Sequence, residues 1–150
     1  MDMERLQREL YDLYSQQLAE LEYEMQVAGE PEGLNDDLMR CRRYFMSSGN
    51  RRKFGITVMR NHYTKNFNTV LGTAKQVGIS RNAAERIADD IEGEGWITFR
   101  RCGQNYRWIE ARPILIKVWE GYAERVRTFS NNLDFASTTF ALRGLQKVTS

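Results

Sequence analysis

Several chemistries are missing from this chain before any motif is sought. Among its 150 residues there is one histidine, His62, and only two cysteines, Cys41 and Cys102. A single imidazole cannot pair with another, and no Ser-His-Asp or metal-ligand cluster surrounds it, so the reactive groups of hydrolytic or metal-assisted catalysis are wanting. Neither cysteine has metal-like spacing, and reduced thiols in a cytoplasm are expected. Gly78-Ile79-Ser80 and Gly93-Glu94-Gly95 lack the spacing of a phosphate loop or a dinucleotide fingerprint. No apolar run is long enough to span a bilayer, and the charged opening residues do not read as a secretory leader. The expectation is a cytoplasmic protein that is not an enzyme and has no cofactor, metal or membrane partner.

Acidic charge is scarce over most of the chain. Residues 1–37 hold eleven Asp/Glu against two Arg, while residues 38–150 hold nine Asp/Glu against twenty Lys/Arg. The small net charge of +2 therefore hides an acidic leading segment on a basic body, a distribution that suits a polyanion-binding protein whose first helix stands away from the polyanion. The length fits one domain with a sizeable core, read here as 1–34 (N-terminal helix and turn), 35–110 (central core) and 111–150 (C-terminal helices).

The most informative stretch runs from Thr69 to Glu110. Val70, Leu71, Ala74 and Val77 recur at helical spacing, with Asn68 or Thr69 as the N-cap and Gly78 at the left-handed C-terminal position. Ile79 points back into the turn. Ser80 caps a second helix that buries Ala84, Ile87, Ala88 and Ile91 and leaves Arg81, Asn82, Ala83, Arg86 and Asp89 on the other side. Gly93 and Gly95 end it. A hairpin follows. Trp96, Thr98 and Arg100 lie on one side of its first strand, and Ile97, Phe99 and Arg101 on the other. Cys102 to Asn105 form the turn, and Tyr106 to Glu110 return with Trp108 inward. Cys102 is either an inert exposed thiol or one activated by the neighbouring arginines. Two short helices, a tight turn and a hairpin make a winged helix-turn-helix, which places its second helix in a DNA groove.

This segment resembles the winged helix-turn-helix of bacterial transcriptional regulators, T-x-x-E-L-A-x-x-L-G-I-S-R-x-T-V-x-R-x-I-x-x-L-E-x-x-G-x-I. Thr69, Ala74, Gly78, Ile79, Ser80, Arg81, Arg86, Ile91, Glu92, Gly95 and Ile97 stand at the matching positions. The chain departs from the pattern at Gly72, at Thr73 and at the pair Ala83-Ala84. Gly72 is expected to weaken its helix by roughly 1 kcal/mol relative to Ala.

The flanks read as helices. Leu6, Leu10, Leu13, Tyr14, Leu18, Leu21, Met25 and Ala28 give residues 3–28 an apolar stripe, stopped by Gly29 and Pro31. At about 1.5 Å per residue the helix is longer than a small domain needs, which points to a second copy of the chain as its partner. Asn35 or Asp36 caps a helix to about Met46, and Ser47 to Asn50 break it. Arg51-Arg52-Lys53 are a basic loop or helix start. A further helix spans Ile56 to about Thr64, with Met59, Tyr63 and Phe67 on one face. Pro113 opens a helix through about Ser130 with Ile114, Leu115, Val118, Trp119, Tyr122, Ala123, Val126 and Phe129 as its stripe. Asn131-Asn132 end it, and Ser137 caps a last short helix containing Phe140, Ala141, Leu142 and Leu145.

The expected fold is thus mainly α with a small β-hairpin wing, a winged helix-turn-helix with long terminal dimerisation helices. This order of elements resembles the MarR family of homodimeric regulators. The resemblance implies terminal helices interleaved across a two-fold axis, with two recognition helices roughly 34 Å apart on a near-palindromic site. The expected partners are double-stranded DNA and a second copy of the chain. A small-molecule effector stays open, with no residue pattern supporting one. The residues expected at DNA are Lys75, Ser80, Arg81, Asn82, Ala83, Arg86, Arg100, Arg101, Gln104 and Arg107. Those expected between subunits are Leu6, Leu10, Leu13, Leu18, Leu21, Trp119, Tyr122 and Phe129. The alternative is a winged-helix adaptor that binds protein through its acidic first helix and no DNA.

Overall fold

The structure, a computed structural model, describes residues 2–27, 35–101, 103 and 106–149, with 133–149 described through the backbone alone. It divides into two compact units, Met1–Glu32 with Gly121–Ser150, and Gly33–Glu120.

The first unit holds α1 (Met3–Gln26). Asp2 starts it, its carboxylate accepting the backbone N–H groups of Glu4 and Arg5 at 3.1 and 3.2 Å. Negative charge there also suits the positive end of the helix. Leu6, Leu10 and Leu13 are half-buried and Leu21 and Met25 buried, whereas Tyr14 and Leu18 are exposed. The apolar arc is therefore wider than the face that is covered, and the single stripe read from spacing divides in two. Ala28 and the Gly29–Pro31 stop lie outside the described residues.

The second unit begins with α2 (Asp36–Met46), α3 (Gly49–Tyr63), α4 (Val70–Val77) and α5 (Arg81–Gly93). The Asn35 side chain accepts from the Leu38 N–H at 2.9 Å, which identifies Asn35 as the cap of α2. The break after Met46 is only Ser47-Ser48. Ser48 takes the N-cap position and accepts from Arg51, so α3 starts at Gly49 rather than Ile56 and carries Arg51-Arg52-Lys53 in its first turns. A serine cap outweighs the weak breaking tendency of Gly49-Asn50. The inward side of α3 is Phe54, Val58 and Met59; Tyr63, one turn after Met59 at the end of the helix, is exposed. Gly55 lets α2 approach closely, since a Cβ there would lie 2.6 Å from the Phe45 ring.

Thr69 caps α4, and Gly78 closes it at φ 83°, as the spacing predicts. One correction concerns its inward face: Leu71 is 43% exposed, and Thr73 is buried instead. Thr73 tolerates burial because its hydroxyl donates to the Thr69 carbonyl at 2.8 Å. Gly72 has a reason of its own: a Cβ there would sit 1.9 Å from the Asn68 amide oxygen. Asn68 accepts from the Thr69 N–H and donates to Gln76, while Gln76 and the buried Asn61 exchange hydrogen bonds at 2.9 and 3.2 Å. These amides tie α3 to α4.

The wing is β1 (Ile97–Arg101) antiparallel to β2 (Arg107–Ala111), pairing Ile97 with Ala111, Phe99 with Ile109 and Arg101 with Arg107. This register puts Ile109 on the core side with Ile97, so Trp108, expected inward, is instead exposed. Trp96 and Ile97 are both buried because Trp96 precedes the strand and its alternation. The Ile109 N–H donates to the Asn68 carbonyl at 2.9 Å, and Thr69 bridges Trp108, which docks the wing on the start of α4. Phe54, Met59, Ile87, Ile91, Trp96, Ile97 and Leu115 share one core.

The last helix, α6 (Pro113–Thr149), opens at Pro113 as expected but runs unbroken. Asn131-Asn132 do not end it, and Ser137 does not cap a new helix. No glycine or proline falls between Tyr122 and Arg143. Asparagine in a helix costs only tenths of a kcal/mol, roughly, whereas ending one helix and nucleating another costs more. The side chains of Ser137, Phe140, Ala141, Leu142 and Leu145 lie outside the described residues. The fold is mainly α with a two-stranded wing and long terminal helices.

Candidate nucleic-acid interface

The proposed contact surface is built on α5. Ser80 is extended at φ −67° and ψ 154°, and its hydroxyl accepts the Ala83 N–H at 3.1 Å. That cap sets the rotation of the helix from its first residue. Ala84, Ile87, Ala88 and Ile91 are buried as predicted, in the i, i+3, i+4, i+7 pattern of one helix face. Arg81, Asn82, Arg86 and Asp89 are exposed, and Ala83 is half-exposed. The small side chain of Ala83 keeps the outer side of the helix narrow at its start.

The far end of α5 is fixed to α2. The Tyr44 hydroxyl donates to Asp90 at 2.9 Å, and Arg40 pairs with Glu94 at 2.6 Å. Tyr44 also lies against Trp96, with ring centroids 5.5 Å apart, and beneath the Arg51 guanidinium at 4.3 Å. Burial, reinforced by the hydrogen bond to Asp90, pushes the Tyr44 hydroxyl pKa well above the ordinary tyrosine value. Asp90 of α5 and Glu94, the residue that follows the helix, are thereby engaged at the end remote from Arg81.

Three cations of the site are held in different ways. Arg81 donates through Nε to Glu85 at 3.0 Å, one helical turn on. Arg100 reaches across the hairpin to Glu110 at 3.2 Å, and Arg107 stacks over the Phe99 ring at 4.7 Å. By contrast Arg86 and Arg101 are exposed and have no ion-pair partner among the described residues. Lys75 is exposed on α4. Gln104 and Cys102, expected in the turn of the hairpin, lie outside the described residues. Glu85 and Glu110 did not emerge from the sequence as members of this surface, although their spacings from Arg81 and Arg100 were there to be read.

Cys41 faces the core, where burial pushes its thiol up to about 12. Among the described residues no group of three or more His, Cys, Asp or Glu side chains is arranged to hold a metal, and no helix is long and apolar enough to cross a membrane.

Of the residues expected between subunits, Leu6, Leu10, Leu13 and Phe129 are half-buried, Leu21 is buried, and Leu18 and Tyr122 are exposed. Phe129 meets Tyr14 edge-on at 6.2 Å within the first unit. Trp119 packs against the core of the second.

No family model and no curated protein matches the sequence. Among solved structures, similarity extends to a MarR family protein from Bacillus stearothermophilus, 18% identical with a TM-score of 0.46 and 100% of both chains covered. A MarR family regulator from Neisseria meningitidis is 14% identical over 64% of this chain and 72% of its own, with a TM-score of 0.41. MepR, a transcription regulator of the Staphylococcus aureus multidrug efflux pump MepA, is 14% identical over 72% and 76%, also with a TM-score of 0.41. By its own capped helices, glycine turn and docked hairpin, the chain is a winged helix-turn-helix protein whose order of elements resembles the MarR family.

Proposed function

We propose that this protein is a sequence-specific, DNA-binding transcriptional regulator that acts as a homodimer on a near-palindromic site. The observation that supports the reading best is the division of α5: its apolar face is sealed into the core while Arg81, Asn82 and Arg86 remain at the surface. A helix with polar residues at its exposed start and an arginine one turn on fits a major groove and its phosphates. In this reading Ser80, Arg81, Asn82, Ala83 and Arg86 enter or border the groove, Lys75 lies beside it, and Arg100, Arg101, Gln104 and Arg107 follow the backbone from the wing. The α1 stripe and the exposed part of α6 meet a second copy.

Counterion release gives the test. Each neutralised phosphate contributes about 0.9 to the slope of log affinity against log salt. Gel shifts over a salt series should therefore give a steep slope for the wild type, and a slope about 0.9 smaller for Arg86→Ala and for Arg101→Ala. Unchanged affinity in both variants would remove the proposed surface. A protein that ignores DNA at low salt but captures one partner through its acidic α1 would instead be a protein adaptor.

A further inference from the structure

Resting on the DNA-binding reading, we infer that Glu85 is a positioning residue that holds Arg81 for the recognition of a guanine. Arg81 is the first residue of α5, directly after the Ser80 cap, and Glu85 lies one turn further in. Helix stability does not account for this pair. A cation at the N-terminus opposes the helix dipole, and Glu-before-Lys/Arg is the favourable order for a pair four residues apart, whereas here arginine comes first. The Arg81 side chain is 68% exposed and that of Glu85 46%, a setting in which an ion pair adds little stability.

What the contact does is geometric. The carboxylate takes Arg81 through Nε at 3.0 Å, which leaves both terminal nitrogens of the guanidinium without a partner among the described residues. Those two donors form the fork that matches O6 and N7 of guanine in the major groove. An arginine tethered through Nε has its long side chain ordered before binding, so less rotamer freedom is lost on meeting the base. Arg100 differs: it meets Glu110 through a terminal nitrogen, which leaves its fork incomplete. Arg86 has no tether among the described residues and can follow a phosphate. Selectivity for guanine is accordingly carried by Arg81 with Glu85, and sequence-independent grip by Arg86.

The experiment compares discrimination with affinity. Duplexes are drawn from a random pool by wild-type protein, and copies are made with each guanine replaced by adenine. Arg81→Ala should abolish the preference for guanine at one position per half-site, a loss of about 10- to 100-fold in discrimination. Glu85→Ala should cut that same preference several-fold while binding to random DNA stays level or rises, because an acidic charge near phosphates has gone. Glu85→Gln, which keeps an acceptor, should restore part of the preference. In an Arg81→Ala background, Glu85→Ala should leave it unchanged. A merely repulsive Glu85 would behave otherwise, raising affinity for every duplex by one factor with guanine preference intact, and that result overturns the assignment. So does wild-type selectivity that survives Arg81→Ala. Absence of DNA binding by the wild type at low salt would fail the underlying reading, and this inference with it.

Discussion

Tyr44 joins three parts of the second unit through one side chain: its ring meets Phe45 and Trp96, its hydroxyl holds Asp90, and Arg51 covers its face. Its proton is retained in the folded state well beyond the ordinary tyrosine value, through burial first and the hydrogen bond to Asp90 second. Above pH about 10 the unfolded chain releases this proton while the folded chain keeps it, so stability must fall as pH rises past that point. Tyr44→Phe should cost about 1 kcal/mol near neutral pH through the lost hydrogen bond, and should flatten the alkaline loss. Urea unfolding at pH 7 and at pH 11 measures both. The mutant falling as steeply as the wild type would exclude Tyr44 as the group responsible. Gly55 offers a second test. Alanine there gains about 1 kcal/mol of helix propensity, yet its Cβ would lie 2.6 Å from Phe45. Overpacking typically costs about 1–3 kcal/mol, so a net loss in thermal stability is expected for Gly55→Ala. Cys41, with its thiol pushed up to about 12 by burial, should stay inert to a thiol reagent at pH 8 until the protein unfolds.

Three of the legible helix starts were marked by a side chain that accepts a backbone N–H, Asn35, Thr69 and Ser80, and that of α6 by Pro113. Ser80→Ala should cost about 1 kcal/mol in unfolding free energy and should weaken DNA binding beyond that, because the same cap sets the rotation of α5. Where the reading failed, two local rules competed. Ser48 lies in a stretch that looks like a break, yet its hydroxyl accepts from Arg51, and α3 begins seven residues earlier than the Ile56 expected. Asn131-Asn132 look like an end, but without glycine or proline the helix simply continues. Trp108 is apolar, and Leu71 falls at helical spacing with Val70, Ala74 and Val77, yet both face outward. Strand register and the satisfied hydroxyl of Thr73 decided this, and neither is visible in a list of apolar residues. In the candidate site, the face of α5 was fully legible from periodicity. The spacing of Arg81 and Glu85 allows their ion pair, but that Arg81 is held through Nε depends on rotamers, which spacing does not give.

The acidic α1 and the basic body belong to one argument about assembly. An exposed band of Met3, Tyr11, Tyr14 and Leu18 runs along α1 beside its buried face. Isolated apolar residues at a surface are ordinary, but a band at helical spacing on a 24-residue helix is the kind of patch that a second chain covers. Acidic residues on the same segment repel a polyanion, which in the proposed assembly suits α1 to a second chain rather than to DNA. Tyr11→Glu combined with Leu18→Glu adds two charges to that band without touching the buried Leu21 and Met25. Sedimentation equilibrium should give twice the chain mass for the wild type at micromolar concentration and the single mass for the double variant, with its circular dichroism unchanged. On DNA the variant should still bind a half-site. It should lose the advantage of a palindrome, since two linked recognition helices gain from effective concentration and two separate ones do not. A double variant that keeps both its dimeric mass and its preference for palindromes would show that the subunits meet elsewhere than on this band.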